Sequence, residues 1–385
     1  MSPKARFGTN MKKLICVLLA LILLCSAALS EIDDDYIRKR FAARKIVGGA
    51  VIVSKDGEVL YSLAYGYQDK AKKRPVTLDT CFRIASVTKM VSALGLVKLC
   101  EEQDISYDTP LKDLMGIPIK NPRYPDDPIT VRQVLTHTTS IAPANHYGYD
   151  FAKVNASTGV FTCSRPGTEY TYSNLNGGLI GGLIETLSGQ SVNTYMTENI
   201  FAPLNINAAY HAGLLPDRSD ISDRLTATGQ TACTAQKMLS DIGTYEDFAD
   251  PAHHLAYTAG ELMISANGLN TILIMLSQGG QLDGKQILPE STVDKMMESQ
   301  VFPGSSVQVD DEYTLGLARV TELPGGTWYG HQGRKEGLSS DAFFQPSTGL
   351  CVTVIANGYT AQADCSVVSI AKIVMEEAYK EYGNQ

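Results

Sequence analysis

Residues 47–53 form a continuous apolar and glycine run and 58–65 a mixed run rich in Leu and Tyr, and the turn Lys55-Asp56-Gly57 separates them, a pattern that predicts a strand pair. Residues 86–100, SVTKMVSALGLVKLC, are apolar on nearly every helical face, so this helix is expected inside a core. Residues 108–208 are rich in Pro, Gly, Asn and Tyr, with a short helical stretch at 131–135 and a Gly-rich apolar helix at 177–187. Further helices are expected at 258–276 and 289–297. From residue 313 the alternation of strands returns, at 315–320, 339–344 and 350–355, before a final helix starting near Ala361. Residues 31–45 read as a charged lead-in helix. Early strands, a helical middle, late strands and a closing helix predict an α+β fold. One antiparallel sheet flanked by helices would be built from both chain ends over residues 46–380, with a mainly helical lobe inserted at roughly 105–300.

Lys89 breaks the pattern of the apolar helix. An ammonium in a core is costly unless it is paired or gives up its proton. The spacing of three puts its amine on the face that carries the Ser86 hydroxyl. A serine at a helix start beside a desolvated lysine is a nucleophile with a base at hand. The S-x-x-K pattern recurs at Ser369 and Lys372, but there in an amphipathic C-terminal helix that leaves both residues on a surface.

Composition narrows the classes. The chain has 385 residues, 44% hydrophobic and 19% charged, as ordinary globular proteins do, and its formal charge of −8 argues against nucleic acid or an anionic membrane as partner. No H-E-x-x-H or C-x-x-C occurs, so neither a metal nor another cofactor is expected. Basic Lys4, Arg6, Lys12 and Lys13, the apolar run 14–24 and small residues up to Ser30 have the order of a secretory signal over residues 1–30. Cys25 invites a lipoprotein reading, although bulky Leu24 is unsuited to it. The mature chain is expected outside the cytoplasm, secreted or in the cell envelope, with no stable membrane span. Its six cysteines (Cys81, Cys100, Cys163, Cys233, Cys351 and Cys365) fit either disulfides or, as the apolar runs around Cys81 and Cys351 suggest, small buried hydrophobes.

Two further clusters carry chemistry. Tyr172-Ser173-Asn174 follows the turn-prone Pro166-Gly167-Thr168; residues two apart in an extended segment share a side, so the phenol and the amide can face one cleft. A phenol near an ammonium is biased toward phenolate and can take a serine proton. His331-Gln332-Gly333 offers a proton-sharing side chain and then a glycine that would let a substrate backbone lie alongside. Lys335-Glu336-Gly337 rivals it on the same segment, and Tyr382-Gly383-Asn384, His146-Tyr147-Gly148 and His211-Ala212-Gly213 repeat the short patterns elsewhere.

In this order, FRIASVTKM, PGTEYTYSN and YGHQG resemble the three motifs of the serine β-lactamase and penicillin-binding superfamily, with Y-x-N pointing to its class C-like branch of β-lactamases, DD-peptidases and esterases. DGEVLYSLAYG, LTHTTS and FFQPSTGLCVTVIANG resemble further segments of the family. The resemblance implies a β-lactamase/transpeptidase-like fold. It also implies Ser86 as nucleophile, Lys89 and Tyr172 sharing base and acid duty, and Asn174 holding the substrate amide and the lysine. His331 would stand at the third-motif lysine position with Gln332 and Gly333 beside the substrate, and the N–H groups of Ser86 and Arg334 would form the oxyanion hole. The implied activity is that of an exported serine hydrolase, D-alanyl-D-alanine carboxypeptidase-like or an esterase, acting on a small molecule or peptide such as a cell-wall peptide or a β-lactam. A class C-like β-lactamase and a non-catalytic penicillin-binding sensor are the alternatives.

Overall fold

The computed structural model describes residues 31–116, 119–143, 158–244, 257–300, 311–359, 367 and 369–384. The expected signal segment, the start of the last helix near Ala361, Cys365 and His146 lie outside these residues. Helix α1 (Asp34–Ala43) is capped by Asp33, whose carboxylate accepts from the Tyr36 N–H, and it buries Ile37 and Phe41. Strands β1 (Gly48–Lys55) and β2 (Glu58–Gly66) pair through a tight turn. Asp56 and Gly57, both at positive φ (51° and 92°), make that turn.

The short strand β3 (Phe82–Arg83) leads into helix α2 (Val87–Glu102). Only Lys98, Glu101 and Glu102 escape full burial on α2, as its all-round apolar sequence requires. Helix α3 (Asn174–Ser188) packs against it. Strands β4 (Ala208–Ala209) and β5 (Met263–Ile264) join β3 in a small sheet of order β3-β5-β4. Helix α4 (Ala266–Ser277) follows, then β6 (Asp311–Tyr313), β7 (Ala318–Val320), β8 (Trp328–Lys335), β9 (Leu338–Gln345), β10 (Leu350–Asn357) and helix α5 (Ser369–Tyr382).

The large sheet runs β6-β7-β8-β9-β10-β1-β2 and is antiparallel at every pairing. β1 lies beside β10 from Gly48 opposite Asn357 to Lys55 opposite Leu350, so both chain ends complete one sheet, as expected. Alternation sorts the faces. Trp328, Phe343 and Val354 pack with α1 and α5, whereas Ala342, Phe344 and Ile355 pack with α2 and α4 in the larger core. Cys81, Cys100, Cys163, Cys233 and Cys351 are free thiols, and Cys81 and Cys351 are buried as small hydrophobes. Among the described residues no helix is long and apolar enough to cross a membrane.

Two expected elements differ. Residues 258–276 are not one helix: Met263–Ile264 is the central strand of the small sheet, and helix α4 starts only at Ala266, behind Ser265, whose hydroxyl accepts from Gly268 N. The serine cap and the pairing with β3 and β4 override the helical reading of residues 258–265. The strand expected at 315–320 is only Ala318–Val320, because Gly316 sits at φ 81° in a turn.

The lead-in helix is tied to the sheet by Phe41, which is fully buried and lies 5.2 Å, ring to ring, from Tyr65. Phe41→Ala is expected to cost about 3–5 kcal/mol of stability, read as a lower denaturant midpoint with an unchanged slope; an unchanged midpoint would mean that α1 does not belong to the cooperative fold.

Candidate active site

The site is assembled where the start of α2, the start of α3 and the edge of β8 meet. Ala85 takes a positive φ of 47°, a strained value for a residue with a Cβ, and turns the chain so that Ser86 becomes the residue preceding α2. The Ser86 hydroxyl makes no capping bond and is left for chemistry. Behind it, Ser340 on β9 donates to the Ile84 carbonyl at 2.6 Å. Gly333 on β8 closes the packing. A Cβ there would lie 2.4 Å from Ile84 O and 3.0 Å from Ser86 N, so the space opened by the glycine is filled by the turn that carries the serine.

Lys89 is 1% exposed. Its Nζ lies 3.2 Å from Ser86 Oγ and donates to Asn174 Oδ1 at 2.9 Å and to the carbonyl of Ala259 at 2.6 Å. Tyr172 covers it from another side, with Nζ 5.0 Å from the ring centroid. No carboxylate bonds to this amine among the described residues. Burial therefore lowers its pKa to about 7, with repulsion from Lys335 as the second cause. The lysine stem is admitted by α3: a Cβ at Gly177 would come within 2.9 Å of Lys89 Cε and 3.0 Å of Ala259 Cα. Asn174 is the first residue of α3, placed by Ser173, whose hydroxyl accepts from Leu175 N and donates to Ala142 O.

His331 is 3% exposed, on the β8 face turned toward the larger core. Its Nδ1 is 2.5 Å from the Gln332 carbonyl oxygen, which can only accept, so Nδ1 carries the proton and Nε2 the lone pair. That Nε2 is buried without a hydrogen-bond partner among the described residues. Burial and then repulsion from Lys89 push the ring's pKa down to about 3, so the ring is neutral. The rival Lys335 is committed to Glu261 at 2.9 Å.

A cleft of about 410 Å³ unites Ser86, Tyr172, Asn174, His331, Gln332 and Arg334, with Tyr170 and Tyr313 as an aromatic wall. Strand alternation puts the Gln332 and Arg334 side chains on the Trp328 face, where Arg334 helps to hold down the Tyr359 phenol that burial otherwise pushes up. It is the main-chain edge of these two residues that borders the cleft. β7 pairs with β8 only from Trp328 to Gly330, so the edge beyond it carries no strand among the described residues. Ser369, of the second S-x-x-K, lies on α5 across the sheet. The residues expected from the sequence thus converge, and they are joined by Ala259, which contributes only a carbonyl and carries no sequence signal.

A family model described as Beta-lactamase matches residues 34–366. Penicillin-binding protein 4* of Bacillus subtilis (strain 168) is 27% identical over 188 residues, covering 45% of this chain and 40% of that protein. The chain therefore matches less than half of that relative's length. Among solved structures, the octameric penicillin-binding protein homologue from Pyrococcus abyssi superposes with a TM-score of 0.71 at 21% identity, over 91% of this chain and 78% of that one. A class C beta-lactamase superposes with a TM-score of 0.70 at 15% identity, over 90% and 94%. These likenesses share the fold seen here.

Because Gly177 makes room for the lysine stem, Gly177→Ala is expected to displace Lys89 and slow acylation of a p-nitrophenyl ester by about 10- to 100-fold, since an ångström of misplacement is worth that much. A stopped-flow burst as fast as that of the wild type would show that the contact is not needed.

Proposed function

We propose that this chain, which belongs to the β-lactamase family, is a serine hydrolase working through an acyl-enzyme on Ser86. The observation that carries this reading is the bonding of Lys89. A neutral amine has two hydrogens and one lone pair. Two directions from Nζ are taken by the acceptors Asn174 Oδ1 and Ala259 O, which leaves the lone pair for the Ser86 hydroxyl at 3.2 Å. Ser86 Oγ attacks a carbonyl carbon as its proton passes to Lys89 Nζ. The oxyanion is held by the N–H groups of Ser86 and Arg334; as the bond to the leaving group breaks, Tyr172 hands it a proton and takes back the one held by Lys89, which restores both groups. Water, activated by the same pair, then releases the acyl group.

The cleft favours substrates without a carboxylate at the third-motif position. A lysine there would donate and carry charge, whereas His331 is neutral and presents an acceptor lone pair from Nε2. A carboxylate oxygen meeting that lone pair finds no donor, whereas an amide N–H or a hydroxyl finds an acceptor. Lys335 is held by Glu261, and the Arg334 side chain belongs to the other face. Short esters and amides of D-amino acids therefore fit better than D-alanyl-D-alanine ends or penicillins, which favours the esterase over the carboxypeptidase reading, two readings the sequence left level. The class C-like β-lactamase reading retains the Tyr172 and Asn174 pair in its favour. Export is part of the proposal and rests on the order of residues 1–30; N-terminal sequencing of the mature protein is expected to begin near Glu31.

Ser86→Ala is expected to abolish the covalent adduct seen by intact-mass spectrometry and to lower turnover by up to about 10⁶, while Ser369→Ala changes neither. An adduct surviving on the Ser86→Ala protein would remove the assignment. On the wild type, kcat/KM for a short p-nitrophenyl ester is expected to exceed that for nitrocefin; nitrocefin hydrolysis near 10⁶ M⁻¹s⁻¹, inside the general enzyme range of about 10⁴–10⁸, would establish the β-lactamase instead.

The active form carries neutral Lys89, so kcat/KM is expected to rise with pH through a midpoint near 7 and to fall away below it. His331 stays neutral above a pKa of about 3 and adds no step there. His331→Gln keeps the rising limb if lysine is the titrating group; loss of the limb would transfer the role to the histidine.

A further inference from the structure

We infer that His137 is the positioning residue for Tyr172, an inference that rests on the acyl-enzyme reading above and extends it. The histidine grips the chain on both sides of the tyrosine. Its carbonyl accepts from Thr171 N at 2.8 Å, and its Nδ1 accepts from Ser173 N at 3.2 Å. Its ring lies against the phenol, with centroids 4.4 Å apart and planes tilted by 33°. Tyr313 stands edge-on to the same imidazole at 4.8 Å. Tyr172 is thus fixed before it, behind it and across its ring by one residue.

The imidazole is itself held in one protonation pattern. Thr139 donates to Asn176 Oδ1 at 2.8 Å, which turns the Asn176 amide so that Nδ2 faces His137 Nδ1 at 3.1 Å. With two donors converging on Nδ1, the lone pair sits there and the proton on Nε2. The ring is 2% exposed, and burial, then repulsion from Lys89 and His331, keeps it neutral. His137 also holds φ at 56°, a left-handed value that a side-chain-bearing residue rarely adopts and that bends the chain at the residue gripping Tyr172. A buried histidine whose only task was packing would need neither the strained backbone nor two donors on one nitrogen.

The test is a double-mutant cycle on the acylation rate of a p-nitrophenyl ester, with intact-mass spectrometry to confirm the adduct on Ser86. His137→Phe keeps an aromatic ring but offers no acceptor to Ser173 and Asn176, and is expected to slow acylation by about 100-fold. Tyr172→Phe removes the phenol and is expected to cost about 10²–10⁴. If His137 acts through Tyr172, the double variant is no slower than Tyr172→Phe alone, within about twofold. His137→Asn, whose Oδ1 can stand in for Nδ1, is expected to recover at least about tenfold over His137→Phe, the order of one retained buried hydrogen bond. Losses that multiply in the double variant would overturn the inference and leave a histidine that only supports the fold. If His137→Phe does not fold, the Asn variant carries the same cycle with Tyr172→Phe. A wild type that forms no adduct on Ser86 with any ester or β-lactam would overturn the acyl-enzyme reading and this inference with it; an adduct combined with multiplied losses overturns the inference alone.

Discussion

A primary amine enclosed in a core, with acceptors around it but no carboxylate bonded to it among the described residues, is the constraint from which the rest of the cleft follows. An ion pair would have solved the desolvation of Lys89 and destroyed its use, because a paired ammonium holds its proton too firmly to act as a base. Two neutral acceptors, Asn174 Oδ1 and Ala259 O, satisfy its hydrogens without fixing its charge. That arrangement needs room on α3, which Gly177 gives, and needs the 258–259 segment to lie against Gly181, where a Cβ would meet Thr258 Oγ1 at 2.7 Å. Lys335, the second cause of the lowered pKa, is drawn to Glu261. His137 and His331 lie in the same field and are neutral for the same reasons, so three nitrogen bases share one site largely without charge.

The main chain that carries Ser86 is held by shape, while its hydroxyl faces Lys89 Nζ at 3.2 Å. Ala85 at positive φ, the Ser340 bond to Ile84 O and the missing side chain at Gly333 press the turn against β8, so Ser86 N and the edge of β8 come together. The oxyanion hole proposed from the Ser86 and Arg334 N–H groups would depend on that contact, since no side-chain rotamer can correct its spacing. This gives Gly333 a different meaning from the one its sequence suggested: the close approach it permits is made by the protein's own backbone.

Much of the frame was legible in residues 47–65, 86–100 and 339–355, where strand and helix runs are clear, and burial is nearly complete on β1, α2, β9 and β10. Ser86 and Lys89 were legible because a helix fixes their geometry three residues apart. Tyr172 and Asn174 do reach one cleft, but Asn174 opens a helix and only Tyr172 lies in extended chain, so the argument from strand alternation described half of the pair. Alternation alone could not choose between His331 and Lys335, which share a face of β8; the choice is made by Glu261, 74 residues away in sequence. Ala259 and His137 were hidden for a deeper reason. One acts through a carbonyl; the other lies in the LTHTTS segment, but its imidazole acts through bonds to Ser173 N and Asn176 that only the fold brings together.

The same titration that frees the nucleophile also bears on the fold. An unfolded lysine keeps its proton up to its ordinary pKa of 10.5, whereas folded Lys89 releases it near 7. Between those values the unfolded chain binds more protons, so this residue's contribution to stability rises with pH, by up to about 1.4 kcal/mol for each pH unit in the window. Below 7 both states are protonated, and the folded state bears the full cost of a buried ammonium. Acidic groups such as Asp69, held low by the Lys73 and Arg74 N–H groups despite burial, work in the same sense at lower pH: their contribution is present above the ordinary carboxylate range and lost as acid protonates them. For Lys89, then, conditions that favour catalysis and conditions that favour the fold change together, because both ask for the amine without its proton.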